Sequence, residues 1–585
     1  MSIEQLITEH LDIWTAADTE KKSGRGRSSG SAGSVYGIKK LRELILELAV
    51  RGKLVPQDAS DEPASELLKR IAAEKAKLVA EGKIKKSKPL AEITDDEKPF
   101  ELPIGWEWTT LITITLINPR NNVEDDLPAS FVPMTLIGTG FNSLHDQETR
   151  IWKEIKQGFT HFAEGDVGVA KITPCFENSK ACVFSGLINQ VGAGTTELHI
   201  IRPINMTLSP RYILTYVKSP QFLLIGESKM TGTAGQKRLP KDFVESNPFP
   251  LPPINEQHRI VAKVDELMAL CDQLENQHNN AAEAHEKLVT HLLGTLTQSQ
   301  NAEDFNTYWQ RISEHFNTLF TTEASIDALK QTLLQLAVMG KLVPQDPNDE
   351  PASELLKRIQ AEKAKLIVEG KIKKDKPLAE ITEEAKPFDL PEGWVWTRFP
   401  DLGEFGRGKS KHRPRNDPKL FNPGIYPLVQ TGEVARAINV IAEYHSKYSE
   451  IGLAQSKMWP AGTLCITIAA NIADSALLGF DACFPDSVVG FVPYKPLDDT
   501  KYLLVFMKTA RENLLKFAPA TAQKNINLEI LQTVLIPTPP LKEIYRIVIK
   551  IDELMALCDQ LKTRISSANQ VLQKLADVVI EEAIT

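Results

Sequence analysis

The stretch LVPQDASDEPASELLKR at residues 54–70 returns as LVPQDPNDEPASELLKR at residues 342–358, changed only at the counterparts of positions 59 and 60. The flanks repeat as well. EKAKL, GKIKK, KPLAEIT and KPF recur in order, and Trp106 and Trp108 find counterparts in Trp394 and Trp396. Further on, DELMALCDQL at 265–274 returns unchanged at 552–561. A solenoid would repeat about every 20–50 residues. Here the period is nearly half the chain, and residues 109–235 and 397–522 align poorly. Each half is therefore a common frame around a private insert, and the expected object is a pseudo-twofold one with two unlike arms.

The frame reads as helical. Ile38, Leu41, Ile45 and Leu48 fall at helical spacing, and Ile326, Leu329, Leu333 and Leu336 repeat it. A second helix is expected to open at Pro63 (Pro351 in the other copy) and to close at Gly82 (Gly370), since proline suits the first helical position and glycine the residue past the end. GKIKK then reads as a solvated linker. The last helix of the chain keeps a 4-3 apolar rhythm through Ile547, Ile551, Leu554, Cys558, Leu561, Ile565, Ala568, Leu572, Leu575 and Val579, a heptad seam that wants a partner helix. The first copy runs Ile260, Val264, Leu267, Cys271 and Leu274, then weakens near His278 and His285 before Leu288, which predicts a shorter coiled coil than the second copy alone suggests. The simplest pairing sets the two equivalent helices antiparallel between the arms.

The inserts carry short β-rich runs broken by Gly and Pro: LITITLI, FVPMTLIG, DVGVAKI, TLCITIAA and VVGFVPY. That is the texture of a mixed α/β domain. Proline-rich exits, NPFPLPPINEQ and LIPTPPLKEI, hand over to the long helices. The fold class is thus α+β: a duplicated chain with two mixed α/β domains joined by long helices that form an antiparallel coiled coil. The expected parts are an N-terminal helix and flexible Gly/Ser linker (1–34), a first helical frame (35–99), the first insert (100–253), a central long helix (254–295), a polar connector (296–322), a second frame (323–387), the second insert (388–540) and a C-terminal long helix (541–585).

Composition narrows the function classes. With 585 residues, 42% of them apolar and 25% charged, the chain has material for real cores. No apolar run is long enough to span a membrane, and the first residues lack a basic-then-apolar leader pattern. The six cysteines form no CxxC pair and stand among apolar neighbours, which predicts buried, reduced thiols and no zinc site. A net charge of −8 counts mildly against a nucleic-acid partner, but a local basic patch carries that footprint.

Several motifs bear on chemistry. Gly403-Glu404-Phe405-Gly406-Arg407-Gly408-Lys409-Ser410 satisfies GxxxxGK[ST]. A phosphate-cradling loop needs a helix to follow it, and Pro414 and Pro418 forbid one. The same segment reads better as a basic patch: Arg407, Lys409, Lys411, Arg413, Arg415 and Lys419 crowd thirteen residues with His412, and Asp417 is the one acid. Such a loop suits phosphate oxygens, and Arg can also pair with guanine edges. Asn247-Pro248-Phe249-Pro250 is faintly similar to the NPP(Y/F) tetrad of amino-methyltransferases, but the second half has Val534-Leu535-Ile536-Pro537 there, so it reads as the turn leaving the insert. Gly235-Gln236-Lys237 finds a partner in Ala522-Gln523-Lys524, each after a small-residue stretch (Thr231 in the first); the pair suits base and phosphate contact or a strand cap equally. No HExxH, GxSxG or nuclease-like carboxylate–lysine set stands out.

With these phrases in view, the chain resembles the specificity subunit (S, HsdS) of type I restriction–modification systems, closest to the EcoAI-like type IB group. The resemblance rests on LAVRGKLVPQDASDEPASELLKR and its copy, on PLPPINEQHRIVAKVDELMALCDQLE and its copy, on GFTHFAEGDVGVAKITPCFENSKACV in the first insert, and on YPLVQTGEV, GRGKSKHRPR and MWPAGTLCITIAANIADSALLGFDACFP in the second. It implies that each insert is a target recognition domain reading half of a bipartite duplex DNA site, and that the coiled coil spaces the two. It marks Lys171, Thr173, Glu177, Asn178, Thr231, Gln236 and Lys237 in the first insert as candidate contacts, and Gln430, Thr431, Gln523 and Lys524 in the second beside the basic loop. It further implies a non-catalytic chain in the bacterial cytoplasm, with no cofactor of its own. Two methyltransferase subunits would bring S-adenosylmethionine, and restriction subunits ATP and Mg2+. Ile547 to Val579 is about 33 residues, or about 50 Å of helix, which spans about 14 base steps. The alternative is a coiled-coil scaffold whose inserts bind proteins without sequence preference.

Overall fold

The computed structural model describes residues 3–16, 35–84, 92–141, 144–204, 207–233, 235–300, 302–374, 377–469, 472–516 and 526–584. The Gly/Ser linker expected at 20–34 lies outside them. The chain divides into two compact units, Met1–Ala282 with Ser567–Thr585, and Glu283–Ser566.

The frame helices form as the periodicity predicts, at Tyr36–Val50 and Ala64–Ala80 in the first copy and Glu323–Val338 and Ala352–Val368 in the second. Pro63 and Pro351 stand one residue earlier than expected, as extended N-cap residues. Gly82 and Gly370 take positive φ just past the helix ends, where a side chain would be strained. Two further glycines lock the frame to the insert entrance. Gly52 and Gly340 also have positive φ, and a Cβ there would lie 2.5 Å from Pro103 and Pro391 respectively.

One buried contact set is built twice. The Trp106 indole N–H donates to Glu256 at 3.0 Å, and Trp394 donates to Glu543 at 3.0 Å. Gln57 and Gln345 donate to the same two carboxylates at 3.3 and 3.2 Å. Arg259 pairs with Asp61 and Arg546 with Asp349. Both glutamates are almost wholly buried, and burial raises their pKa while the indole donors pull it back.

The inserts, unlike in sequence, share one strand order. The first comprises β1 (Glu107–Thr110), β2 (Thr115–Ile117), β3 (Pro128–Val132), β4 (Glu148–Ile151), β5 (Thr160–Ala163), β6 (Val167–Ala170), β7 (Ala181–Val183), β8 (Val191–Gly194), β9 (Leu198–Pro203) and β10 (Pro248–Leu251). The second comprises β11 (Val395–Thr397), β12 (Gly403–Arg407), β13 (Tyr426–Leu428), β14 (Val440–Ile441), β15 (Ser446–Tyr448), β16 (Met458–Trp459), β17 (Leu464–Thr467), β18 (Ser475–Leu478), β19 (Ala482–Cys483), β20 (Val488–Pro493) and β21 (Ile536–Thr538). The sheet β2-β9-β6-β7 matches β12-β20-β17-β18, which adds the short β14, and β4-β3-β8-β5 matches β15-β13-β19-β16. One parallel pair also corresponds, β3 with β8 and β13 with β19; the added β14 pairs parallel with β18 in the second insert alone among the described residues. Stacked rings fill both cores, Phe162 on Phe184 at 3.7 Å and Trp459 on Phe484 at 5.0 Å.

Three expectations are corrected. LITITLI is not one strand: Leu111–Ile114 forms a helical turn that buries Leu111 and Ile114, and Lys75 donates to the carbonyls of Ile112 and Thr113 at its end. Asn247-Pro248-Phe249-Pro250 is more than an exit turn, since Pro248–Leu251 pairs with β1 in a two-stranded sheet whose open edges tolerate proline. The polar connector expected at 296–322, helical as its reading allowed, is more than a spacer: its helices Ala302–Glu314 and Phe316–Leu319 carry an echo of the N-terminal helices. Ile7-Thr8-Glu9-His10 finds its counterpart in Ile312-Ser313-Glu314-His315, at the junction of Ile3–Glu9 with Leu11–Ala16 and of Ala302–Glu314 with Phe316–Leu319. Trp14 and Leu319 are buried in the respective cores. The duplication thus begins before the frame.

The long helices run Ile254–Gln298 and Leu541–Ile584, 45 and 44 residues, or about 66 Å each. The first continues unbroken through His278 and His285. Each helix serves both cores in opposite chain order. Ile260, Val264 and Cys271 lie in the first unit's core and Val289, Leu293 and Leu296 in the second's; Ile547, Ile551 and Cys558 lie in the second and Ala576 and Val579 in the first. Near the ends the stripe departs from the strict heptad. Leu575 and Leu288 are exposed, while Ala576 and Val289 are buried. A helix of 3.6 residues per turn drifts off a 3.5-residue seam, and the globular core captures the drifted side.

Candidate nucleic-acid interface

The basic segment of the second insert begins as strand and continues as a pinned loop. Gly403–Arg407 pairs antiparallel with β20, ending Arg407 opposite Val489. A phosphate-cradling loop is thereby excluded, because its first residues are sheet and no α-helix follows before Thr431. At Gly408 a Cβ would lie 2.2 Å from the Phe484 carbonyl oxygen, so only glycine lets the chain leave the sheet there. The loop backbone is then held by side chains. The Gln455 Oε1 accepts from Lys411 N at 2.6 Å and His412 N at 3.1 Å, and the Ser456 hydroxyl donates to Lys409 O at 3.0 Å. His412 meets Asp417 at 2.9 Å. The Lys419 backbone N–H, followed by His412, holds the Asp417 carboxyl below its ordinary range.

The charges are left outward and unneutralised. Arg407, Lys409, Lys411, Arg413 and Lys419 are exposed and, among the described residues, have no carboxylate within ion-pair distance; Arg413 bonds the Ser410 and His412 carbonyls. Arg415 is the exception, paired with Asp486 at 2.9 Å. A rigid backbone bearing several unpaired cations favours a polyanion at little ordering cost. Gln430, exposed, caps the helix Thr431–Arg436: its N–H donates to Glu433 and its side chain reaches Ser446 at 3.4 Å. Thr431 is the first residue of that helix. Gln523 and Lys524 lie outside the described residues.

In the first insert the fold gathers residues distant in sequence. Leu239 N donates to Lys171 O at 2.7 Å, Thr173 N to Lys237 O at 3.0 Å, and Lys237 N to the Thr173 hydroxyl at 3.2 Å, while Thr231 bridges Arg238. Lys171, Thr173, Thr231 and Lys237 thus belong to one ladder, and Gln236 stands on the turn that leads into it, its N–H on Thr233 O at 2.9 Å. Thr173 is buried and its hydroxyl engaged by backbone, whereas Thr231, Gln236 and Lys237 are exposed. Glu177 and Asn178 stand on the following turn, where Glu177 lines a hollow with Leu44, Glu47 and Arg51 of the frame. Sequence reasoning misses Arg120. It lines a cleft with Lys171, Asn118, His161 and Thr196, and no local pattern joins residue 120 to residue 171. Five cysteines are buried and Cys175 half-buried, all unbridged, and burial pushes the Cys182 and Cys271 thiols up to about 12.

The model of the type I restriction modification DNA specificity domain matches residues 130–284 and 391–569, once on each insert. The chain belongs to the type I restriction–modification specificity family. The specificity subunits of the type I restriction enzymes EcoAI and EcoEI, both of Escherichia coli, are each 50% identical to it, over the full length of both chains. A solved type I restriction–modification structure, described for complex assembly and conformational transition, aligns over 83% of this chain and 99% of its own with a TM-score of 0.52 and 19% identity, a likeness of fold. Among the described residues no helix is long and apolar enough to cross a membrane.

Proposed function

We propose that this chain is the DNA-specificity subunit of a bacterial type I restriction–modification enzyme, each insert reading one half of a bipartite site. The observation that carries it is a single strand order serving two inserts whose loops differ in charge and side chain, which is how two reading heads of one design come to read unlike half-sites. Phosphate contacts set register and base-edge contacts set sequence. The long helices set the gap, and the duplicated frame offers equivalent docking faces for two methyltransferase subunits, with restriction subunits joining them in the cytoplasm. S-adenosylmethionine, ATP and Mg2+ are supplied in those partners, where catalysis resides. Genome-wide mapping of methylated adenines after co-expression with methyltransferase subunits tests the reading. One interrupted bipartite motif is the expected result; methylation without a motif, or at one contiguous motif, would contradict it.

A further inference from the structure

The strand correspondence makes the segment after β2 in the first insert the counterpart of the basic loop after β12, since β2 pairs with β9 and β12 with β20 in the equivalent sheets of the two inserts. The segment is not basic overall, but it holds Arg120 between two anchored asparagines. Asn118 exchanges bonds with Ile200 backbone, N–H to O at 2.8 Å and Oδ1 from N at 2.8 Å. Asn121 donates to Phe162 O at 2.7 Å and accepts from Arg202 at 2.9 Å.

The Arg120 guanidinium stands 3.2 Å from His161 Nε2. That contact is not a hydrogen bond. His161 Nδ1 accepts from Asn121 N at 3.1 Å, so Nε2 carries the proton and donates it to Lys156 O at 2.9 Å. Burial, with the nearby Arg120 and Arg202 charges, keeps this imidazole neutral by lowering its pKa. Arg120 therefore faces an N–H. Among the described residues its one acceptor is Phe159 O at 3.5 Å, and no carboxylate pairs with it. Lys171, which lines the same cleft, has no ion pair among them either, and Thr196 contributes to the lining.

We propose that this cleft is a phosphate clamp of the first insert, Arg120 and Lys171 jointly holding one phosphodiester of the duplex. The clamp rests on the DNA-specificity reading above. It gives the first insert a fixed backbone anchor in place of the cation-rich loop of the second. The phosphodiester oxygens supply the acceptors that the Arg120 donors lack, and two cations about one group suit a single anionic centre better than a neutral base edge.

The test measures binding of the assembled methyltransferase to a cognate and a scrambled duplex across a salt series, for the parent, Arg120→Gln, Lys171→Gln, the double variant and Arg120→Lys. Neutralising a phosphate-binding cation lowers the slope of log affinity against log salt by about 0.9. The double variant is expected to lower it by about 0.9, for the one phosphate lost, and to weaken both duplexes by the same factor, with Arg120→Lys retaining most of the parent slope. Parent-like slopes, or a weakening confined to the cognate duplex, would overturn the clamp. If the parent itself showed no preference for the cognate duplex, the specificity reading would fail instead.

Discussion

Trp106 and Trp394 each send an indole N–H to a carboxylate sealed from water, Glu256 and Glu543. Removing such a donor leaves a buried acceptor short of a partner, at a cost of about 1–3 kcal/mol. Trp106→Phe and Trp394→Phe should therefore destabilise their respective units by similar amounts in urea unfolding; no change in either would show that the indole bond does not stabilise the fold. The first insert also carries a pH dependence. His199 Nε2 donates to Leu239 O at 3.0 Å, and its Nδ1 faces the Asn118 amide nitrogen. Burial holds its pKa below the ordinary value, as it does for His145 and His161. The unfolded histidine binds a proton near pH 6.5 and the folded one only lower. Stability is thus complete above about pH 6.5 and declines as pH falls toward the folded value. Melting temperature should drop between pH 7.5 and 5.5, and His199→Gln should reduce that drop. An identical drop would show that His199 stays neutral without cost.

The basic loop and the long helices set the predictions for elements. Changing Arg407, Lys409 and Lys411 together to Gln should lower the salt slope of DNA binding by about 0.9 for each of these cations that binds a phosphate and leave the preferred sequence unchanged; an altered motif would make these base readers. Ending the chain at Ser566 should strip Ala576 and Val579 from the first unit's core, worth about 2 kcal/mol or more. Amide exchange in Tyr36–Val50 should then accelerate while Glu323–Val338 keeps its protection; equal acceleration in both would refute the assignment of the helix end to the first core. The frame was legible because its repeated residues are the ones whose side chains make the repeated contacts, such as Gln57 and Gln345 or Trp106 and Trp394. The basic loop was legible because its cations are neighbours in sequence. The common insert topology was not, because its strands are short and pair across long separations, as Thr115 does with Pro203. Arg120 escaped for the same reason, sharing a cleft with Lys171 only once β2 and β6 lie in one sheet. The continuation of the repeat into Ile312–His315 escaped because one tetrad, with Ser for Thr, is too short to stand out unaided.

At the scale of the whole molecule, duplication has kept the frame nearly letter for letter and let the inserts diverge within one topology. That is the pattern expected when partners must dock on both halves alike while the two halves recognise different things. Each insert should then read its own half-site independently of the other. The direct measurement replaces residues 109–253 with the corresponding insert of a relative, co-expresses the chimera with methyltransferase subunits, and maps methylated adenines across a genome. Independent reading predicts a motif in which one half-site is new while the other half-site and the gap are unchanged. A motif altered in both halves would contradict it.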